Sequence, residues 1–402
     1  MQVLKRDLGD QPKLELAEGQ FELESLDAAD LDTAPQVSAR AAQLADSAEW
    51  EALHRLMARF EREGLRSGGR PLTSAITEGV LRQQASWLEG FDPCAAIPAR
   101  HFFYDDVERL EEAFVIRPDD HLLAAMLARA HLDMGWARRG SGWAGSVTEE
   151  GWEGLRLHLE RANELVTRFD AVDRASPYLA QVTHEIALAS EWPASARRTA
   201  FETCLRLNPK CWSAMRSEAF HCLPRWGGSH EELETTARQA MALTPDLGAA
   251  AYAAFYWGVL RAEEEVLFTC DEALLAEGLA DLCAAENSDP VVVNKLIDTV
   301  MDTVMPNIAH SMEHEAQLNT RREAFECVLD KVFAEHFTCH VRDCWTMTEK
   351  MVRGILCGVY HPLLSAGGQL RLTLDGGIEI TLPDSAGDQT PPPDGAGMVP
   401  AE

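Results

Sequence analysis

An all-α fold of stacked helical hairpins is predicted by three observations. First, one segment reads almost the same way twice, 36 residues apart. Ala-Phe-Glu-Thr-Cys-Leu-Arg-Leu-Asn-Pro ends at Pro209, and Ala-Arg-Gln-Ala-Met-Ala-Leu-Thr-Pro ends at Pro245. In that register Phe201 matches Ala237, Cys204 matches Ala240, Leu205 matches Met241 and Leu207 matches Leu243. Second, past each proline another apolar helix begins, carrying Ala214 and Ala250, then Phe220 and Tyr256, at equivalent places. Third, Leu-Glu-Glu-Ala-Phe-Val-Ile-Arg-Pro, ending at Pro118, repeats the first half. A period in the mid-thirties, with two helices per unit and small residues where helices approach, is the pattern of a tetratricopeptide-like helical-hairpin solenoid.

The remaining elements follow in chain order. Residues 1–38 are dense in Asp and Glu with Leu at irregular spacing, so they are expected to be disordered, with one short helix near residues 14–26. Residues 39–106 are expected to supply N-terminal helices. Ala41, Leu44, Ala45, Ala48, Leu53, Leu56, Met57 and Phe60 recur at three and four, the spacing of an amphipathic helix or helix pair. A glycine-rich break at Ser67-Gly68-Gly69-Arg70-Pro71 precedes a helix through Leu81 and Trp87.

The repeat array spans 107–262. Its first unit pairs the helix ending at Pro118 with one from His121 to Arg138. After the loop at 139–145, Ser146 and Glu149 have the spacing of a capping box that opens a helix running to Phe169. Further turns fall at Trp192-Pro193 and at 223–228, where Ser229 and Glu232 repeat the capping box. Residues 263–365 remain helical in period, punctuated by Pro290 and Pro306. At 366–383 the period changes to two. A three-residue turn at Asp375-Gly376-Gly377 pairs Leu374 with Ile378, placing Leu370, Leu372, Leu374, Ile378, Ile380 and Leu382 on one face of a β-hairpin. Two strands alone are barely stable, so this face must lie against something. Residues 384–402, with three consecutive prolines, are expected to be a disordered tail.

Composition narrows the function. The net charge is −29, from 65 acidic and 36 basic groups. Nucleic-acid binding needs clustered Lys and Arg, and an anionic membrane surface repels such a chain, so neither is an expected partner. No run reaches the ~18 to 20 apolar residues of a membrane helix. The first ten residues carry acids before any apolar core, unlike a secretory signal. The ten cysteines include no Cys-x-x-Cys pair and read as free thiols. The expected compartment is the cytoplasm. Eight of the ten tryptophans lie between Trp87 and Trp257, where packing between helices is the expected use.

Two loops stand out, Arg139-Gly140-Ser141-Gly142-Trp143 and Pro224-Arg225-Trp226-Gly227-Gly228-Ser229. Each places Arg, Trp, Gly and Ser at a helix N-terminus, where free amides and a guanidinium can hold a carboxylate or phosphate. The same residues also serve plain structural ends: Gly140, Gly142, Gly227 and Gly228 permit tight turns, Ser caps, and Trp fills the gap between units. Both readings stand. With helices packing ~8 to 10 Å apart, the two loop bases are expected roughly 20 Å apart on one edge. Trp143 can then lean over Trp192 towards Arg225. Arg139, Ser141, Trp143, Arg225, Trp226 and Ser229 would thus form one edge site for an acidic peptide or a carboxylate-bearing ligand.

Together the loops carry a resemblance. Trp136 through Ala144, and Leu223 through Ser229, resemble an uncharacterised bacterial family of tetratricopeptide-like domains, classed as a domain of unknown function. The likeness covers about residues 100–260. It implies an all-helical repeat fold and supplies no established reaction. Trp-Ala-Arg-Arg at 136–139 departs from it by carrying two basic residues where one is expected.

Catalytic signatures are sparse. His310 and His314 are four apart on an expected helix and can share one ion, and His336, Cys339, His340 and Cys344 follow. The residue types suit zinc, but no pair has finger spacing, and Glu313 does not make a His-Glu-x-x-His order. There is no Gly-x-Ser-x-Gly and no P-loop Lys, and neither glycine loop follows an expected strand. The expected function is therefore a non-catalytic protein–protein or peptide interaction module without a cofactor. The alternatives are a metal-dependent hydrolase centred on 310–344, or a structural subunit whose hairpin extends a partner's sheet.

Overall fold

The chain, seen in a computed structural model, is described over residues 20–27, 31–81, 102–140, 142, 144–190, 192–306, 315–373 and 378–382. These residues are mostly helical, with sixteen α-helices and a few short strands.

Three helices come first: α1 (Ala34–Asp46), α2 (Trp50–Glu63) and α3 (Leu72–Val80), with α1 packed along α3. A tight antiparallel pair, β3 (Arg66–Ser67) and β4 (Arg70–Pro71), links α2 to α3 at the glycine-rich break. Next come α4 (Phe102–Ile116), α5 (His121–Arg139), α6 (Glu149–Val166), α7 (Pro177–Ala189), α8 (Ala194–Leu207) and α9 (Trp212–His221). They are followed by α10 (His230–Leu243), α11 (Ala250–Val259), α12 (Glu272–Ala285) and α13 (Pro290–Thr299).

The duplicated segments differ in burial by helix. In α8 and α10 a single stripe is buried: Ala200, Phe201, Cys204 and Leu205 in one, Leu233, Thr236, Ala237 and Ala240 in the other. In α11 every residue from Ala250 to Tyr256 is buried, as expected of a helix packed on all sides. Helix α5 touches α7, α7 touches α9, and α9 touches α11, so these helices meet in succession, while α8 touches α10.

Side chains cap many of these helices. Asp120 accepts from the amides of Leu122 and Leu123, Ser176 from Leu179, Ser229 from Glu232 and Asp271 from Leu274. The expected cap at Ser146 is corrected. Ser146 lies in a 3-10 turn and Thr148 caps α6, its Oγ1 accepting from the Gly151 amide at 3.1 Å. Thr148 wins because the helix starts at Glu149, one residue beyond it.

Beyond a π-type turn at Val300–Val304 lie α14 (Glu315–Glu335), α15 (Glu349–Val359) and α16 (His361–Ser365). Strand β6 (Gln369–Leu372) pairs antiparallel with β7 (Ile378–Thr381), forming the expected hairpin, but its register differs from expectation. Leu372, not Leu374, faces Ile378. Leu370 and Leu372 are fully buried, whereas Ile380 on the edge strand is 52% exposed, so the six apolar residues are not shielded alike. The turn at 374–377 lies outside the described residues.

The hairpin finds its support in a place the sequence analysis did not assign. Part of the segment expected to be disordered is ordered: β1 (Phe21–Leu23) pairs parallel with β6, Phe21 opposite Leu370, and β2 (Ser25–Leu26) pairs parallel with β5 (His340–Val341). Residues 21–26 are thus strands and not the expected short helix, and α1 already begins at Ala34. Their order comes from distant partners. Gln20 Nε2 donates to the carbonyls of Leu364 and Gly368, and Phe21 is buried beneath the Arg353 guanidinium, 4.7 Å from its ring centre. Residues 1–19 and 384–402, and the expected continuation of the helix through Trp87, lie outside the described residues. No described helix is long and apolar enough to cross a membrane.

Candidate functional site: a groove along the helix turns

The groove is built where the C-terminus of α2 meets the turns of later helices. Gly64 closes α2 in the left-handed conformation (φ 60°) and sends the chain into β3. Just before it, Glu61 Oε1 accepts from Ser176 Oγ at 2.6 Å and from the Tyr178 amide at 2.7 Å, so α2 helps cap α7. Burial raises the Glu61 pKa, and these two bonds oppose the rise. Across the turn, Arg66 Nε donates to Glu286 Oε2 at 3.0 Å and Arg66 Nη1 donates to the Lys210 carbonyl at 3.1 Å. Glu286 also accepts from Trp212 Nε1 at 2.8 Å.

This clamp leaves a groove of about 890 Å3 between residues 60–66 and the turns 207–210, 243–247 and 285–289, with Pro177, Tyr178 and Gln181 along it. The volume is within the range of small-ligand and peptide sites. Lys210 projects here, its Nζ donating to the Ala285 carbonyl and making no described ion pair. Arg66, Pro71, Tyr178 and Gln181 also line an adjoining recess of about 160 Å3 between α3, α5, α7 and α9.

Four arginines line that recess: Arg66, Arg70, Arg129 and Arg216. Arg129 donates to both oxygens of Asp133, at 3.0 and 3.1 Å, and to Glu185. Asp133 and Glu185 thereby raise its pKa. Arg70 lies 3.2 Å from Glu78 and 3.9 Å from Asp32. Tyr178 and Thr77 share a hydrogen bond of 2.7 Å, and burial pushes the Tyr178 pKa up. Glu78 is also raised, by desolvation.

The two loops singled out in the sequence lie elsewhere. Arg139 sits 5.6 Å from the ring centre of Trp136 and 4.9 Å from that of Trp152, and it donates to the carbonyls of Gly140 and Gly142. Ser141 and Trp143 lie outside the described residues. In the second loop Arg225 donates to the Ala262 carbonyl at 3.2 Å, stands 3.8 Å from Glu263, and lies over Phe220. Trp226 stacks on His221 at 5.8 Å and is 54% exposed. Ser229 is the α10 cap, Gly227 takes φ 90°, and a Cβ on Gly228 would meet the Cys222 carbonyl oxygen at 2.3 Å. Each arginine is thus engaged within or beside its own loop, and no described hydrogen bond or ion pair joins the two loops.

The residues of the alternative zinc site form no metal-ligand group among the described residues. His336 Nδ1 bonds with Ser288 Oγ at 2.9 Å and His340 Nδ1 with Ser25 Oγ at 2.7 Å, while burial raises the thiols of Cys339 and Cys344, the latter to about 12. These four do not gather as a metal-ligand group, and His310 and His314 lie outside the described residues. The group that does gather among the described residues is His230, Glu263 and Glu265, with donor atoms within 4.8 Å. There His230 Nε2 lies 2.8 Å from Glu263, and Arg225 already supplies a positive charge beside that carboxylate.

The groove residues were missed in the sequence because they are far apart along the chain. One signal was present for the adjoining recess: at the 36-residue spacing Arg216 falls opposite Tyr252, which is fully buried, so a charge stands where the second segment has a core residue. In comparisons with protein-family models, curated proteins and solved structures, nothing matches this chain.

Proposed function

We propose that the protein is a non-catalytic interaction module, a tetratricopeptide-like helical-hairpin solenoid that binds an extended segment of a partner protein in the groove along its helix turns. The observation that carries this reading is the groove of about 890 Å3, lined by turns at Pro177, Pro209 and Pro245 that recur at equivalent points of the helical succession. The succession of contacts from α5 through α7 and α9 to α11 supports a hairpin stack, which offers an extended surface of this kind. The lining is mixed, with Glu61, Glu63 and Lys210 beside Leu65, Leu207 and Leu247, which suits a peptide carrying both polar and apolar side chains.

The experiment is selection of peptides from a random library on the purified full chain, repeated with Leu247→Arg and Lys210→Glu. Selected peptides are expected to bind the wild type saturably and to lose affinity in both variants. Retention of full binding by both variants, or stoichiometric zinc in the purified protein, overturns the reading.

A further inference from the structure

Arg216 is the one arginine of the recess with no carboxylate partner among the described residues. Arg66 is held by Glu286, Arg70 by Glu78 and Asp32, and Arg129 by Asp133 and Glu185. Arg216 remains accessible to solvent in the recess, while its surroundings desolvate it and Arg66 repels it, both lowering its pKa.

Its placement depends on a glycine of the neighbouring helix. A Cβ on Gly258 of α11 would stand 2.7 Å from Arg216 Cγ and 3.0 Å from its Cβ, so the missing side chain is what lets the arginine stem cross α11. Tyr252, 36 residues further on, is fully buried, whereas Arg216 is exposed. Ser74 and Ser213 line the same space, and Ser213 Oγ lies 3.6 Å from Cys211 Sγ.

We propose that Arg216 anchors a carboxylate of the bound ligand, with Ser74 and Ser213 as further donors. This rests on the groove being the binding surface and adds what that surface selects. A planar guanidinium matches a carboxylate in two parallel hydrogen bonds. Glu78 and Glu185 also face the recess, so a singly charged carboxylate meets less repulsion than a phosphate bearing almost two charges. The size fits as well, since about 160 Å3 admits an acidic group while the rest of the ligand lies in the larger groove.

The test titrates the full chain at constant ionic strength with three small probes: N-acetylglutamate amide, N-acetylglutamine amide and inorganic phosphate. The glutamate probe is expected to bind saturably and at least roughly tenfold more tightly than the glutamine probe. Arg216→Gln should abolish that preference with the melting temperature unchanged, and Arg216→Lys should keep part of it. Gly258→Ala, which displaces the arginine stem without removing its charge, should weaken it too. The inference is overturned by no saturable binding of the glutamate probe, by the same preference in Arg216→Gln, or by tighter binding of phosphate. Because these probes are not peptides, their failure is separate from failure of the interaction reading. Probe binding without any selected peptide would sink the interaction reading alone.

Discussion

Arg66 Nε and Glu286 Oε2 lie 3.0 Å apart across 220 residues of sequence, and the pair is almost closed to water. Glu286 takes a second donor from Trp212, so one carboxylate joins the β3–β4 turn to both α9 and the end of α12. Removing one partner of a buried pair leaves the other charge uncompensated. Glu286→Ala is therefore expected to cost about 3–5 kcal/mol in urea unfolding. A midpoint that does not move would show that the clamp contributes no stability.

The loop after α9 contains two glycines with different physical roles. Gly227 has φ 90° and open space around it, so backbone strain alone opposes a side chain there. Gly227→Val is expected to cost about 1–3 kcal/mol, and Gly227→Asn less, because Asn tolerates positive φ. Gly228→Ala should cost more than Gly227→Asn, since its Cβ would be driven into the Cys222 carbonyl. Thermal melts of the three variants give the order, and equal melting temperatures for all of them would contradict it.

Whether the two arginine loops act together is open to a double-mutant cycle. Arg139 lies against Trp136 and Trp152, and Arg225 reaches Ala262 and Glu263. With no shared partner, the stability effects of Arg139→Ala and Arg225→Ala should add to within about 0.5 kcal/mol. A larger coupling would restore the single edge site expected from sequence.

A pH dependence follows from the α5–α6 contact. His131 Nδ1 and His158 Nδ1 are 2.9 Å apart, and His131 Nε2 faces Glu111, itself held by Arg161. Burial lowers both imidazoles, His158 to about 4, with the charges of His131 and Arg138 adding to the effect on His158. Between the ordinary value of 6.5 and about 4 the unfolded chain therefore binds more protons than the folded one. The stability these histidines contribute is present above that window and is lost as pH falls through it. Urea midpoints from pH 7 to 4 should fall less steeply in His158→Gln than in the wild type. Parallel slopes would remove His158 from the account.

How much was legible depended on where each element finds its partners. The α8 and α10 stripes and the Ser229 cap could be read because period and cap are local properties, settled within a turn or two. The choice between Ser146 and Thr148 was not, as both precede acidic residues that suit a first turn. Strand β1 carried no local signal. Three residues with one charge among them become a strand only against β6, and that pairing also sets which apolar residues of the hairpin are covered. The groove failed to show for the same reason. The arginines of the adjoining recess come from β3, β4, α5 and α9, and none has a sequence neighbour that announces its role.

The β1–β6 pairing also imposes a waiting time on a chain made from one end. Helices that pack on helices close to them in sequence can acquire structure as each emerges. Phe21 cannot, because its partner Leu370 is synthesised hundreds of residues later. At about 5–20 residues per second, β1 stays unpaired for roughly 20–70 s after it is made. During that interval Phe21 and Leu23 lack their sheet neighbour, so the newest part of the chain decides when one of the oldest is finished.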